Sequence, residues 1–181
     1  MNIHRLLEGL RDYAGFGPGI VVSVVTSLMA CGYLSRVMGI SKAHGWVLAM
    51  SVGLVLSATI TPSREAILFG AQGSGTCDLS RIGLASWWEV RHLDDASLNI
   101  LMFVPLGIFI ALCPRSRAKV IVLAGAFVLP ASIELFQLVA VALDRKCQSG
   151  DVIDNLTGLL LGLAGGAVAG WLAAAVYRRA R

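Results

Sequence analysis

The chain alternates long apolar stretches with short polar breaks. Five of the stretches approach the roughly 20 residues that a helix needs to cross a bilayer. They run from about Gly19 to Met38, Gly45 to Ile60, Ala96 to Cys113, Lys119 to Leu143 and Val152 to Tyr177. The second stops at Thr61-Pro62 because proline disfavours helix in the residue before it. The second and third are short, which puts their ends in the interface. Between them lies the one long polar segment, Pro62 to Asp95. Its Gly73-Ser74-Gly75 run reads as loop. Trp87 and Trp88 suit a stretch lying at headgroup level. The pattern predicts an all-α, polytopic integral membrane protein. It forms one membrane domain over residues 1–181, with about five transmembrane helices and one long extracytoplasmic loop at about 62–95.

Composition sharpens this picture. Of the 181 residues, 56% are hydrophobic and 14% charged, and mean hydropathy is +0.76. An average soluble domain is about 25% charged. A soluble core of about 150 residues still leaves some 30% of its unfolded surface exposed, too little shelter for this much apolar surface. A soluble enzyme, a disordered chain and a disulfide scaffold are excluded on these grounds. The net charge of +4 does not point to nucleic acid. Arg115, Arg117, Lys119, Arg178, Arg179 and Arg181 flank apolar runs, where anionic lipid and the orientation signal of insertion account for them. The segment Met1 to Gly17 carries Glu8 and Asp12, and no cleavage site follows the first apolar run, so it does not read as a signal peptide.

Orientation follows from basic-residue density. Arg36, Lys42, Arg115, Arg117, Lys119, Arg178, Arg179 and Arg181 crowd into short hinges and the C-tail, with no acid among them. Arg5, Arg11, Arg64, Arg81, Arg91, Arg145 and Lys146 are spread over much more chain. The dense set is assigned to the cytoplasm. This makes the chain a multi-pass cell-membrane protein with its N-terminus and long loop outside and its C-terminus inside. Cys77 and Cys147 then both fall in outer loops, where a disulfide can persist. Pairing is one reading; two free thiols at unrelated positions is the other.

Ionisable residues inside a span are costly, so each is a functional candidate. Glu134 lies about eight residues below the outer end of the fourth apolar run, or about 12 Å. Gln137 shares its face. Asn99 enters the third span from outside, and Asp151, Asp154 and Asn155 open the fifth. Arg145 sits in the short outer loop between the fourth and fifth. In this topology the polar groups converge near the outer surface. Glu134 either pairs with Arg145 or Asn99, or is protonated by desolvation. Asp154 reads as a helix-start carboxylate, and Asp151 is divided between that role and a functional one. Pro105 and Pro130 read as kink makers.

Gly158, Gly162, Gly166 and Gly170 repeat every fourth residue and give one helix a smooth face. Packing within the monomer is the default reading, and a homodimer through that face is the alternative. His4, His44 and His92 fall on different sides of the membrane, so they form no joint metal site. No phosphate loop, His-Glu-x-x-His or Cys-x-x-Cys motif is present. A carboxylate metal site from Glu134, Asp151 and Asp154 would be sparse for a hard cation. Neither a cofactor nor a metal is expected.

Three motifs together resemble the VanZ-like family. They are Asn99-Ile-Leu-Met-Phe-Val-Pro105-Leu-Gly107, Ser132-Ile-Glu134-Leu-Phe-Gln137, and Arg145 followed by Asp151, Asn155 and Gly158. The resemblance covers about 94–170. It implies a small bacterial polytopic membrane protein, in a family whose namesake is linked to reduced susceptibility to the glycopeptide teicoplanin. The family offers no agreed mechanism. Cys147-Gln148-Ser149-Gly150 stands between Arg145 and Asp151, so a disulfide at Cys147 would be particular to this chain or a subfamily.

Three functions follow as expectations. The first is a binder of an envelope lipid or lipid-linked cell-wall precursor that lowers glycopeptide access, with Asn99, Gln137 and Asn155 as binding residues. The second is a membrane enzyme acting on a lipid headgroup. In it Glu134 is acid or base, Arg145 holds a phosphate and Asp151 assists. The third is a small proton-coupled transporter with Glu134 as the proton site, though five spans make no clean inverted repeat.

Overall fold

The computed structural model describes residues 16–71, 73, 75–92 and 95–180. His4 and the other charges of residues 1–15, together with Ser74 and Arg181, lie outside the described residues. Helices form at all five apolar stretches: α1 Phe16–Met38, α2 Lys42–Thr59, α5 Asp95–Leu112, α6 Arg117–Val139 and α7 Ser149–Arg179. Serine hydroxyls start several helices by accepting an otherwise orphaned amide. Ser41 accepts from the His44 amide at 3.1 Å to start α2, and Ser116 from the Lys119 amide at 3.1 Å to start α6.

Four of these helices, α1, α5, α6 and α7, are long and apolar enough to cross a membrane. The second is not among them, which narrows the expectation of five. It is 18 residues long, but Lys42 and His44 occupy its first turn, and Ser51, Ser57 and Thr59 interrupt its apolar run. The fourth stretch also ends earlier than its hydropathy implied. Helix α6 stops at Val139, and Val141–Leu143 makes a separate 3-10 turn. Glu134 is therefore five residues from the helix end, about 8 Å at 1.5 Å per residue.

Helices α1 and α2 form a hairpin whose seam is lined with small residues. The Ser23 and Ser57 hydroxyls hydrogen-bond across it at 2.8 Å, and Ser27 is almost fully buried. Without water to drive association, close packing and such bonds hold helices together in a bilayer. The second tight pair is α5 with α7. Gly158, Gly162 and Gly166 lay the α7 backbone directly on that of α5. A Cβ added at Gly166 would stand 2.6 Å from the Ile108 carbonyl oxygen and 2.8 Å from Ala111 Cβ. Over Gly158, Gly162 and Gly166 the groove is filled by α5 from within the monomer, while at Gly170 an added Cβ meets only Leu112 Cδ2 at 3.5 Å. Phe103, Leu106, Ile110 and Leu159 form the centre of the core between these elements.

Basic side chains close the end of the bundle that carries the short hinges. Lys119 Nζ donates to the Ala111 and Cys113 carbonyls, each at 2.8 Å, and His44 Nε2 lies 2.8 Å from the Phe109 carbonyl oxygen. These contacts satisfy carbonyls that the C-terminus of α5 leaves without intrahelical partners.

The long polar segment is more ordered than a plain loop. It contains two short helices, α3 Arg64–Phe69 and α4 Trp87–His92, and a two-residue strand β1 Cys77–Asp78. Strand β1 pairs in parallel with β2, Cys147–Gln148, in the register Cys77 to Cys147 and Asp78 to Gln148. A disulfide joins Cys77 and Cys147 at that pair, which settles the two open readings in favour of pairing. Cys31 and Cys113 are free thiols. The Ser80 hydroxyl, and then its amide, hold the Asp78 carboxyl below its ordinary range as the chain turns after β1. Ile67, Leu68, Phe69, Ile82, Trp87 and Trp88 are exposed along this segment. Such a row of apolar and tryptophan side chains matches a stretch at the bilayer interface.

Candidate functional site

Five helix ends meet beside the disulfide. They are the start of α1, the end of α2, the start of α5, the end of α6 and the start of α7. Between them lies a cavity of about 600 Å³, within the range of small-molecule sites. Six of the seven polar groups singled out in the apolar stretches and adjoining loop line it, namely Asn99, Glu134, Gln137, Arg145, Asp151 and Asn155, while Asp154 does not. Phe16, Leu54, Leu98 and Met102 supply an apolar wall. The sequence had not singled out Asp95, Asp144 and Lys146, which also face the cavity. Asp144 and Lys146 flank Arg145 in the chain, and that charged run was the available signal.

Glu134 is 5% exposed. Its Oε2 accepts the Gln148 backbone N–H at 2.7 Å. The partner is therefore neither Arg145 nor Asn99, as expected from sequence, but an amide at the N-cap of α7. A helix start presents such amides together with the positive end of the helix dipole, so it receives a carboxylate well.

Arg145 is oriented elsewhere. Its Nε donates to the Thr61 carbonyl at 3.1 Å, and its Nη2 donates to the Ala58 carbonyl at 3.0 Å. Gln137 Nε2 donates to the Thr59 carbonyl at 2.9 Å. These two later side chains thus satisfy the Ala58 and Thr59 carbonyls, which the end of α2 leaves without partners, and the Thr61 carbonyl just beyond it. Two donors of the Arg145 guanidinium are thus directed at backbone carbonyls beside the cavity.

Asp154 also departs from expectation. It is the sixth residue of α7, too deep to cap the helix, and it is fully buried. Its carboxylate forms a two-pronged ion pair with Arg81 from the long loop, with Nη1 to Oδ1 at 3.1 Å and a shorter Nη2 to Oδ2 contact. Sequence reasoning missed Arg81, which entered only as an orientation charge. The signal was the depth of Asp154, because a buried carboxylate requires a cation and the long loop held the nearest supply. The Ser149 hydroxyl adds a 2.7 Å bond to the Arg81 carbonyl. Loop, disulfide and ion pair together fasten the long segment to the start of α7.

Asp151 on α7 and Asn99 on α5 both line the cavity. Three buried polar side-chain atoms among the described residues have no hydrogen-bond partner, Trp46 Nε1 away from the cavity and two on residues that line it. Gln137 Oε1 and Asn155 Oδ1 are buried without a hydrogen-bond partner, on residues only 7% and 1% exposed. Both residues line the cavity. Buried acceptors are normally satisfied, so two orphaned acceptors on residues that line one cavity are candidate contact points for a donor. Among the described residues, no group of three or more His, Cys, Asp or Glu side chains is arranged to hold a metal ion.

A family profile for VanZ/LLP1 matches residues 50–173. That span reaches back into α2, beyond the motifs that carry the resemblance, and takes in the long loop. No curated protein and no solved structure matches the chain. With well over half of its length matched, and with six of the motif residues from three helices and one loop gathered on a single cavity, the chain belongs to the VanZ/LLP1 family.

Proposed function

We propose that this protein binds the headgroup of an envelope lipid or lipid-linked cell-wall precursor at the outer face of the membrane, and that this binding lowers access of a glycopeptide such as teicoplanin. The observation that carries the reading is the convergence of the six motif side chains on one cavity with an apolar wall and two unpartnered acceptors. Such a cavity takes a group that is polar at one end and apolar at the other. In this reading the chain crosses five times, with α2 as the short span; its 18 residues reach about 27 Å, close to the hydrocarbon thickness. The N-terminus and long loop lie outside, and the C-terminus lies in the cytoplasm. The Cys77–Cys147 bond supports this orientation because disulfides persist outside the cytosol. The cavity shares that end of the bundle.

The binding reading stands ahead of the headgroup enzyme because Arg145, the phosphate holder of that scheme, directs two of its donors to the Ala58 and Thr61 carbonyls. The test is teicoplanin susceptibility of a sensitive host expressing the wild type, Glu134→Gln, Glu134→Ala and Asn155→Trp, matched for membrane abundance. The wild type and the Glu134→Gln variant are expected to protect. The Glu134→Ala variant loses the acceptor for the Gln148 amide, and the Asn155→Trp variant fills the cavity, so both are expected to fail. Full protection by the Asn155→Trp variant overturns the cavity as the site. Loss of protection in the Glu134→Gln variant, with folding intact, moves the role of Glu134 to proton transfer.

A further inference from the structure

The cavity has a definite hydrogen-bonding polarity. Of its titratable lining side chains four are carboxylates, Asp95, Glu134, Asp144 and Asp151, against the two cations Arg145 and Lys146. One of those cations, Arg145, already donates to two backbone carbonyls. Of the three orphaned atoms, the two on lining residues are side-chain amide oxygens. For Gln137 the assignment is fixed by its surroundings: Nε2 must face the Thr59 carbonyl in order to donate, so Oε1 is the atom left over. The lining therefore carries twice as many carboxylates as cations. An anion such as a bare phosphate would meet acceptors and carboxylates, with Lys146 as its one uncommitted counter-charge among the lining side chains.

We propose that the cavity selects a primary ammonium group carried on a lipid or lipid-linked headgroup, with Gln137 Oε1 and Asn155 Oδ1 accepting its N–H bonds and Glu134 and Asp151 supplying the opposing charge. This rests on the headgroup-binding reading above and specifies what that headgroup is. A primary ammonium offers three donors and no acceptor, the complement of this lining. A quaternary ammonium carries the same charge but donates nothing. It would leave Gln137 and Asn155 unsatisfied, and an unpaired buried acceptor costs about 1–3 kcal/mol. A metal ion fits less well, because no three ligating side chains converge among the described residues. Phe16, Leu54, Leu98 and Met102 give the attached glycerol and acyl stems an apolar surface to lie on.

The test compares headgroups on the full chain in mild detergent, with bound lipid counted by native mass spectrometry. The probes are short-chain phosphatidylethanolamine, phosphatidylcholine and phosphatidylglycerol, with soluble phosphoethanolamine as competitor. The phosphate is common to the three lipids, so the comparison isolates the ammonium. Retention of phosphatidylethanolamine is expected to exceed that of phosphatidylcholine by about tenfold, equivalent to ~1.4 kcal/mol. In Gln137→Leu and Asn155→Leu the ratio is expected to fall toward unity. Displacement by phosphoethanolamine supports recognition of the headgroup alone, and its failure supports recognition of the lipid-borne form.

Phosphatidylglycerol binding as tightly as phosphatidylethanolamine overturns the proposal, as does an equal affinity for phosphatidylcholine. The wild-type comparison needs no variant, so a misfolded substitution does not obscure it. Asn155→Trp separates this failure from that of the broader reading. If it abolishes retention of all three lipids while none is preferred, the headgroup site stands and the ammonium does not. If it changes no retention at all, both fall.

Discussion

Replacing Gly158 by alanine tests how closely the site depends on the contact between α5 and α7. The new Cβ would lie 2.8 Å from the Ile100 carbonyl carbon and 3.0 Å from its Cα, and closer still to its carbonyl oxygen. Ordinary contact begins at 3.4 Å, so relieving the carbonyl carbon alone needs 0.6 Å of separation (3.4 − 2.8). The atoms in the way are backbone, and no side chain can rotate to make room. The two helices must part at the depth of Asn99, one residue before Ile100, and Asn155, three residues before Gly158. Overpacking of this kind costs about 1–3 kcal/mol. Against this, alanine gains about 0.8–1 kcal/mol over glycine in helix propensity. Gly165 on the same helix is the control, because an added Cβ there meets nothing within 4 Å. Gly165→Ala should show the propensity gain alone. The assay is thermal unfolding in detergent, alongside teicoplanin susceptibility in a sensitive host. Gly158→Ala should lower the midpoint, on a scale of roughly 2–4 °C per kcal/mol for a chain of this size, and weaken the phenotype. Equal midpoints for Gly158→Ala and Gly165→Ala would refute the argument that backbone contact fixes this wall of the cavity.

Three further outcomes are expected. Denatured without reductant, the protein should expose only Cys31 and Cys113 to alkylation, with Cys77 and Cys147 joining after reduction; labelling of all four without reductant contradicts the bond. Arg81→Gln should destabilise by up to about 3 kcal/mol, less than a fully buried pair because Arg81 is partly exposed, with Asp154→Asn in the same chain restoring most of the loss in a double-mutant cycle. Arg145→Ala leaves the Ala58 and Thr61 carbonyls without their donor and should cost about 1–3 kcal/mol in thermal unfolding, whereas an unchanged midpoint would show that water or other groups take over.

The helices and the membership of the site were legible in the sequence for one reason. Polar atoms are costly in an apolar run, so Asn99, Glu134, Gln137, Asp151 and Asn155 stood out and proved to share a cavity. Their bonding was less legible because most of it goes to backbone. Glu134 meets the Gln148 amide, and Arg145 and Gln137 meet carbonyls at the end of α2. A backbone group carries no residue signature, so a search for charged side-chain partners pointed Glu134 toward Arg145. The Arg81–Asp154 pair was hidden for a different reason, a separation of 73 residues across a segment that looked like loop. The end of α6 was misplaced because Val141–Leu143 is apolar, and hydropathy alone does not distinguish a helix from a 3-10 turn that continues it.

The bond between Cys77 and Cys147 spans 70 residues and encloses two apolar helices long enough to cross the membrane, α5 and α6. Two crossings return the chain to the side it left, and one or three do not. The bond is therefore a parity check written during biosynthesis. It closes only on a chain in which both intervening helices have inserted, or neither has. A protein with one of them left out holds its two thiols on opposite faces of the bilayer. Such a product carries free thiols and a loop detached from α7, and it can be told apart from the finished protein by chemistry at two sulfur atoms.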